Sequence, residues 1–511
     1  MHIPTAFTRH IRARMNRVSK HKSPVEPYWD CRLSWFEIGL LICAAVLAVA
    51  LHLSPILNSS LAIPLTALYG TISYLSPVSG FFFVATTQFL PFPEGARFNP
   101  AQIGFLIWLP VVLLRYRRLS LGKIWLLWPV LPWLVWFWVL TQTPIYLPDG
   151  DYVKALIYAV IACQLIGEAR GQYLKCLLGL CLGSFLVMAA YWCYQAGLPV
   201  EIQDWGGERE GFVRMGGVRA DAVMVWPALL IGVSGLLGLQ VSLASSRNAR
   251  ATPKWLSPLT AGLIVAALPP LVSTMTNGAY AGFVLVLVAF LWALWLAKKA
   301  GAFSNPRFRK LINTLVLAVC LVAVLFAVDA FQLRTKVSSL ARYYDEVSQK
   351  TSAAASRTGV WHDSIHTILK YPLLGIKVTG DHEVITSEYA DQGWYLSHNV
   401  FLDYGRAIGI PGMLLLAMFF FWPAIKMWQS GNYIRYLPFL LAQFAVFIFW
   451  MSLSFPFYKT FWALWMLMAV AASGNKAVRA TNRDRLSQAA TSSRQSQRWA
   501  AARTMRVGRP H

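Results

Sequence analysis

Charge is scarce in this 511-residue sequence: Asp, Glu, Lys and Arg together make up 13% of it, about half the share of a soluble globular domain. So few polar side chains cannot cover a soluble globule of this length. Acidic residues are the scarcer sign, 22 against 46 Lys and Arg, which leaves a formal net charge of +24. Cysteine is also sparse. Cys31, Cys43, Cys163, Cys176, Cys181, Cys193 and Cys320 show no zinc-type spacing, and the outward loops inferred below hold none, which excludes a disulfide framework. Six of the seven lie in or beside apolar runs, where they read as small packing residues. No repeat of fixed period is present. What is abundant is apolar surface: 57% hydrophobic residues, with 22 Trp, 20 Tyr and 29 Phe, a composition that excludes disorder for most of the chain. Apolar stretches near 20 residues recur, so the expected fold class is all-α, a polytopic membrane protein.

The basic residues collect in short segments. Residues 1–33 hold seven Lys and Arg against Glu26 and Asp30, and the tail 475–511 holds nine against Asp484. Between them come Arg115-Tyr116-Arg117-Arg118, the stretch from Arg247 to Lys254, and Lys298, Lys299, Arg307, Arg309 and Lys310. Every cluster abuts an apolar run, unlike the basic face of a nucleic-acid-binding domain. The positive-inside rule places them all in the cytoplasm, with some attraction to anionic head groups. The apolar spans then run over roughly 35–54, 60–92 (two passes or a re-entrant pair), 99–114, 124–142, 151–166, 176–196, 220–243, 257–275, 278–297, 311–331, 406–425, 435–454 and 458–473. That amounts to about 12–14 transmembrane helices, with both termini inside and no cleavable signal pattern. Pro269-Pro270 inside one span predicts a kink near a cavity. The expected organisation is a basic cytoplasmic N-terminus at 1–33, helices over 34–331 with an outward Arg loop at 197–219, a large helical outward loop at 332–405, further spans over 406–474, and a basic, disordered tail at 475–511.

The two outward loops are too long to be simple connections, and long loops in compact membrane proteins usually carry function. Between Gln332 and His398 seven basic residues balance seven acidic ones, and four of the nine histidines fall here: His362, His366, His382 and His398. Four features stand out. Arg214 precedes the span that begins near Asp221; it reads as a snorkelling anchor or, beside Gly216 and Gly217, as an anion contact. Ser356-Arg357 opens an amphipathic helical pattern through Trp361, Ile365, Ile368 and Leu369 that Pro372 stops, a helix lying on the membrane. Ser397-His398-Asn399 leads into an apolar run, which puts an imidazole able to take a proton near neutral pH at the mouth of a span. His362 and His366, at i and i+4, share a helix face but lack a third clear metal ligand, so no metal site is assigned.

His398-Asn399 followed nine residues later by Gly409-x-x-Gly412 resembles the outer-face motif of bacterial O-antigen ligases. Arg214-x-x-Gly217 before a span, and Ser356-Arg357 through Trp361 to Pro372-x-x-Gly375, are similar to elements of the wider O-antigen ligase and polymerase superfamily. The similarity covers roughly 200–470. It implies a metal-independent, inverting glycosyltransferase in the bacterial inner membrane, with its active site facing the periplasm and no cofactor. It implies a glycan on undecaprenyl pyrophosphate as donor, and a lipid A-core or another glycan as acceptor. Carried over to this sequence, His398 is the general base, and Arg357 and Arg214 stabilise the charge growing on the pyrophosphate. Asn399 and Trp361 contact substrate; Trp361, with Trp394 and Tyr395, could stack on sugar faces. One departure stands out: relatives often carry Ser-Arg-Gly where this chain reads Thr276-Asn277-Gly278. Arg219, Arg342 and Lys377 are the cations that could substitute.

Within the superfamily three acceptors fit: lipid A-core (a ligase), a second lipid-linked repeat (an O-antigen or exopolysaccharide polymerase) and a protein (an O-oligosaccharyltransferase). The spacing to Gly409 leans towards the ligase. A lipid-linked glycan transporter is the reading from a different class, but transporters place ionisable residues at the midplane of their spans. Here Glu37, Lys154, Lys175, Asp221 and Asp329 lie near span ends, and the polar weight sits in an outer loop.

Overall fold

Inside hydrocarbon, backbone N–H and C=O groups have no water to pair with, so a chain this apolar crosses as helices. The computed structural model describes residues 31–52, 59–87, 128–141, 172–198, 204–209, 212–215, 222–245, 253–339, 353–376, 397–430, 433–452 and 460–473. These form α1 (Trp35–His52), α2 (Ser59–Tyr74), α3 (Pro77–Thr87), α4 (Val130–Thr141), α5 (Tyr173–Phe185), α6 (Met188–Gln195), α7 (Ala222–Ser245), α8 (Leu256–Ser273), α9 (Asn277–Lys299), α10 (Pro306–Ala327), α11 (Ala353–Lys370), α12 (Val400–Gln429), α13 (Tyr433–Ser452) and α14 (Thr460–Ser473). Among the described residues seven helical stretches are long and apolar enough to span a membrane: Tyr173–Gln195, Val225–Ser245, α8, α9, α10, α12 and α13. Shorter apolar helices cover Trp35–Leu51, Pro77–Thr87 and Thr460–Ser473. The architecture is the all-α, multi-pass one that composition predicts. The spans expected at 99–114 and 151–166, residues 1–30 of the basic N-terminus and the basic tail at 475–511 lie outside the described residues.

One small sheet interrupts the helices. β1 (Asp204–Arg209) and β2 (Phe212–Met215) pair antiparallel in the loop before α7, with Asp204 opposite Met215 and Arg209 opposite Phe212. The register shifts between Asp204 and Glu208, where Gly206 and Gly207 lack the side chains that would hold a flat pairing.

α7 is the hub, buried along nearly its whole span and packed by α13, α5, α9 and α8. Small residues permit the close approach, as is usual where dispersion rather than hydrophobicity drives association. A Cβ on Gly238 of α7 would lie 2.6 Å from Pro438 Cα in α13, and one on Gly183 of α5 would lie 2.6 Å from the Phe82 carbonyl oxygen in α3. Aromatic rings fill the rest; Phe420 stacks on Phe461 at 5.8 Å and Trp226 meets Phe449 edge-on at 5.7 Å. α10 by contrast is exposed along most of its length, with Val316, Leu317, Val319 and Val324 facing outward as lipid contacts would.

The two ends of the bundle differ. Lys298, Lys299 and Arg307 flank the α9–α10 turn, where the Asn305 side-chain amide donates to the Ala244 carbonyl at 2.6 Å. Lys299 Nζ lies 3.8 Å from the Trp295 ring, an interface anchor. At the start of α1, Ser34 and Glu37 form a reciprocal capping box: the Ser34 amide donates to Glu37 Oε2 at 2.7 Å and the Glu37 amide to Ser34 Oγ at 3.2 Å. Lys175, at the start of α5, pairs with the same carboxylate at 3.2 Å. The opposite end gathers the C-termini of α8, α10 and α13 and the N-termini of α7, α9 and α12.

Prolines within spans free carbonyls that hydrocarbon would leave unpaired. Tryptophans supply the missing donors. Pro270 cannot donate to the Ala266 carbonyl, and Trp192 Nε1 does so at 3.0 Å. Pro423 cannot donate to the Phe419 carbonyl, and Trp465 Nε1 does so at 3.0 Å. With that carbonyl paired, α8 runs through Pro269-Pro270 to Ser273. Removing a donor strands the acceptor, at about 1–3 kcal/mol. Trp465→Phe should therefore lower the unfolding midpoint in detergent, and adding Pro423→Ala, which restores the main-chain donor, should recover part of the loss. Equal midpoints for the single and double variants would refute the pairing.

Candidate functional site

α11 and α12, the longest of the spans, are joined through their backbones. α11 ends at Lys370, before the restriction that Pro372 imposes on its neighbour. It begins at Ala353, three residues ahead of the start expected at Ser356. The turn at 371–376 then inserts into α12. In a straight helix the Ile410 amide would donate to the Arg406 carbonyl. Here Ile410 donates to the Pro372 carbonyl at 2.7 Å, and the Arg406 carbonyl accepts from the Ile376 amide at 2.9 Å. α12 kinks accordingly, with Ile408 at φ −129° and Gly409 at φ 73°, ψ 178°, a conformation that side chains exclude. Trp136 of α4 closes the kink by donating to the Ile408 carbonyl at 3.0 Å.

This clamp explains two glycine motifs at once. A Cβ on Gly375, itself at φ 63°, would lie 2.5 Å from the Ala407 carbonyl, and one on Gly409 would lie 2.5 Å from the Leu373 carbonyl oxygen. Gly409-x-x-Gly412 and Pro372-x-x-Gly375 are therefore two halves of one joint. α11 also has an inward stripe: Val360, Ser364 and Ile368 are buried, and Ile368 packs on Gly405.

The joint brings α11 against the turn that opens α12. Asn399 is the N-cap; its Oδ1 accepts from the Phe401 amide at 3.0 Å and the Leu402 amide at 3.2 Å. Its amide nitrogen lies 3.7 Å from Met451 Sδ in α13. His398, just before the cap, is half-buried and sits at φ 54°, in the left-handed region that few residues with a Cβ adopt. Ser397 holds this turn with all its polar groups. Its carbonyl accepts from Trp361 Nε1 at 2.7 Å, its amide donates to Asp403 Oδ1 at 2.8 Å, and its hydroxyl bonds the Asn399 carbonyl at 3.0 Å. Asp403 in turn lies 3.7 Å from Arg406 Nη2, both side chains about nine-tenths buried.

Of the residues singled out in the sequence, His398, Asn399 and Trp361 come together at this turn. Trp361 spends its indole N–H on Ser397, and Asn399 spends its carbonyl oxygen on the cap. Arg357 lies on α11 one turn before Trp361, on the same helix face. Arg214 lies on β2, which rests against α8 at the same end of the bundle. Arg219, Arg342 and Lys377 lie outside the described residues. His362 and His366 are both exposed, and His362 Nδ1 lies 3.9 Å from Asp363.

Asn277, the departure noted in the sequence, opens α9; its Oδ1 is buried with no hydrogen-bond partner among the described residues. Four residues earlier, the Ser273 hydroxyl accepts from Lys336 Nζ at 3.0 Å. Burial pulls the Lys336 ammonium below the usual lysine range, and the Asp329 carboxylate acts against that shift. The Thr335 hydroxyl and amide, with the Arg334 amide, hold Asp329 below the ordinary carboxylate range. That carboxylate caps the helical turns at 333–339 that carry Lys336. Asp403, Arg406, Trp136 and Lys336 were not singled out in the sequence. Asp403 had one legible signal: it follows the N-cap by four residues, the spacing of a helix face that starts before the apolar run.

Gly409→Ala should be among the most damaging small substitutions in the chain, because it strains the backbone by about 1–3 kcal/mol and drives a methyl into the 371–376 turn. The expected outcome is a lower unfolding midpoint and faster proteolysis between 371 and 397. A wild-type midpoint would show that the clamp is dispensable.

No curated protein sequence matches the chain. Residues 259–417, from α8 through the clamp on α12, match the family model described as O-antigen ligase. The turn bearing His398, its support on α11 and both glycine motifs fall within that match, and over these residues the chain is similar to the O-antigen ligase family.

Proposed function

We propose that this protein transfers a glycan from undecaprenyl pyrophosphate to a lipid A-core acceptor at the periplasmic face of the inner membrane. The observation that carries this reading is the Ser397–Asn399 turn, within the family match: an imidazole held in a left-handed conformation at the mouth of an embedded helix. In the reaction an acceptor hydroxyl oxygen attacks the anomeric carbon while His398 takes its proton. The bond from that carbon to the phosphate oxygen breaks, and its electron pair leaves with the polyprenyl pyrophosphate. Attack opposite the leaving group inverts the anomeric centre. The growing negative charge needs fixed cations, and guanidinium offers paired hydrogen bonds at any relevant pH. Arg357, one turn from Trp361, and Arg214, on the hairpin, fill this role, and the step needs no metal ion. Trp361 adds an aromatic face beside the base.

The test is transfer from a lipid-linked oligosaccharide to lipid A-core by the purified protein, with a chelator present. Activity should persist in the chelator. His398→Ala should lower kcat by about 10²–10⁴-fold with membrane insertion intact, and near-normal transfer would remove the base assignment. Arg357→Lys should lose most activity, because a point charge cannot reproduce the planar fork. A deletion strain separates acceptors: accumulated lipid-linked polymer indicates a ligase, accumulated single repeats a polymerase, and accumulation on the cytoplasmic leaflet a transporter.

A further inference from the structure

One more acidic side chain holds the Ser397–Asn399 turn than its cap requires. Asn399 Oδ1 already serves the Phe401 and Leu402 amides, and the Asp403 amide is satisfied by the Asn399 carbonyl at 2.9 Å. The Asp403 carboxylate is therefore not needed to start α12. It points back across the cap instead, to the Ser397 amide at 2.8 Å, on the residue next to His398. Only 12% of its side chain is exposed, and Oδ2 is buried with no hydrogen-bond partner among the described residues. A buried carboxylate is unfavourable unless paired. Arg406 lies 3.7 Å away and one turn on, its own carbonyl fixed by the clamp.

We propose that Asp403 is the positioning residue of His398: its carboxylate oxygen holds the Ser397 amide and so keeps His398 left-handed and aimed at the acceptor. Arg406 balances the buried charge and ties its place to the clamp. The path runs from Gly375 and Gly409 through Arg406 and Asp403 to Ser397. Trp361 grips the next peptide unit, which leads into His398, at the Ser397 carbonyl. The proposal rests on His398 being the base, and its test separates the two.

Two substitutions move different properties of Asp403. Asp403→Asn leaves an oxygen in place and removes the charge. Asp403→Glu keeps the charge and displaces the oxygen by a methylene. Full-length protein in detergent would be assayed for transfer from a lipid-linked oligosaccharide, and His398 labelling by diethylpyrocarbonate followed by peptide mass. A displaced base loses rate steeply, so Asp403→Glu should lower kcat by about a hundredfold and leave the donor KM within about twofold of wild type. Asp403→Asn should lose no more than about threefold in kcat, since the acceptor geometry survives. The His398 labelling rate should change in the Glu variant and hold in the Asn variant. If Asp403→Glu does not fold, Asp403→Ser, whose oxygen falls short of Ser397, takes its place. Wild-type kcat and labelling in the displaced variant would overturn the proposal, as would loss confined to Asp403→Asn, which would make charge and not place the role. Full transfer by His398→Ala would sink the base reading by itself, and the labelling rates would still decide whether Asp403 positions the imidazole.

Discussion

A backbone group in hydrocarbon must find its partner within the protein, and the rest of this structure follows from how that requirement is met where helices are interrupted. Two carbonyls freed by Pro270 and Pro423 are met by tryptophan indoles from neighbouring helices. Such a bond is worth little in water, where the carbonyl would simply be hydrated. In a dry bundle its loss exposes the full desolvation penalty. Indole N–H donors therefore fix which helices lie together: α6 on α8, and α14 on α12. The abundance of Trp in this chain has a structural use beyond bulk and interface anchoring.

The kink in α12 meets the same requirement with main chain. Arg406 and Ile410 exchange each other for the 371–376 turn, so opening the span creates a socket for the outward helix α11. The exchange is nearly neutral in hydrogen-bond number, but it demands backbone contact closer than any Cβ allows, hence Gly375 and Gly409. A surface helix attached by side chains alone would rock against the membrane. One attached through the ladder of a span is as rigid as the span, which catalytic geometry asks for when small displacements are expensive.

How much of this was legible in the sequence depends on the kind of interaction. Apolar runs and basic ends declared the spans, because hydrophobicity and charge act residue by residue. The apolar span was placed from about 406 and the helix opening at His398-Asn399; the two differ because Asp403 and Arg406 interrupt the apolar pattern while continuing the helix. His398-Asn399 and the glycine pairs were visible as motifs, yet their division of labour was not. Asn399 and Trp361 were read as substrate contacts, but their hydrogen bonds go to the cap and to Ser397. Nothing in the spacing reveals that the two glycine motifs touch, since that contact joins backbones more than 30 residues apart. The hairpin at Asp204–Met215 was hidden for another reason: its glycines favour a loop by propensity, and pairing across a short turn overrode that preference.

Helix length places the chemistry relative to the membrane. α12 has 30 residues, about 45 Å at 1.5 Å per residue, whereas the hydrocarbon core is about 30 Å thick. The excess is roughly ten residues, and the kink at Ile408–Gly409 divides the helix at that point. Beyond it run 20 residues from Ile410 to Gln429 that are apolar save for Lys426 and Gln429 near the far end. Before it stand Asp403 and Arg406, charged and buried by protein rather than by lipid. The division lets one continuous element serve two solvents. Its longer part is held by hydrophobicity, and its shorter part can carry an ion pair just after the turn that bears His398. On the function proposed above, a base there meets a donor whose chain stays in the hydrocarbon and whose pyrophosphate does not, and the kink then sets the height of the reaction as well as the angle of the helix.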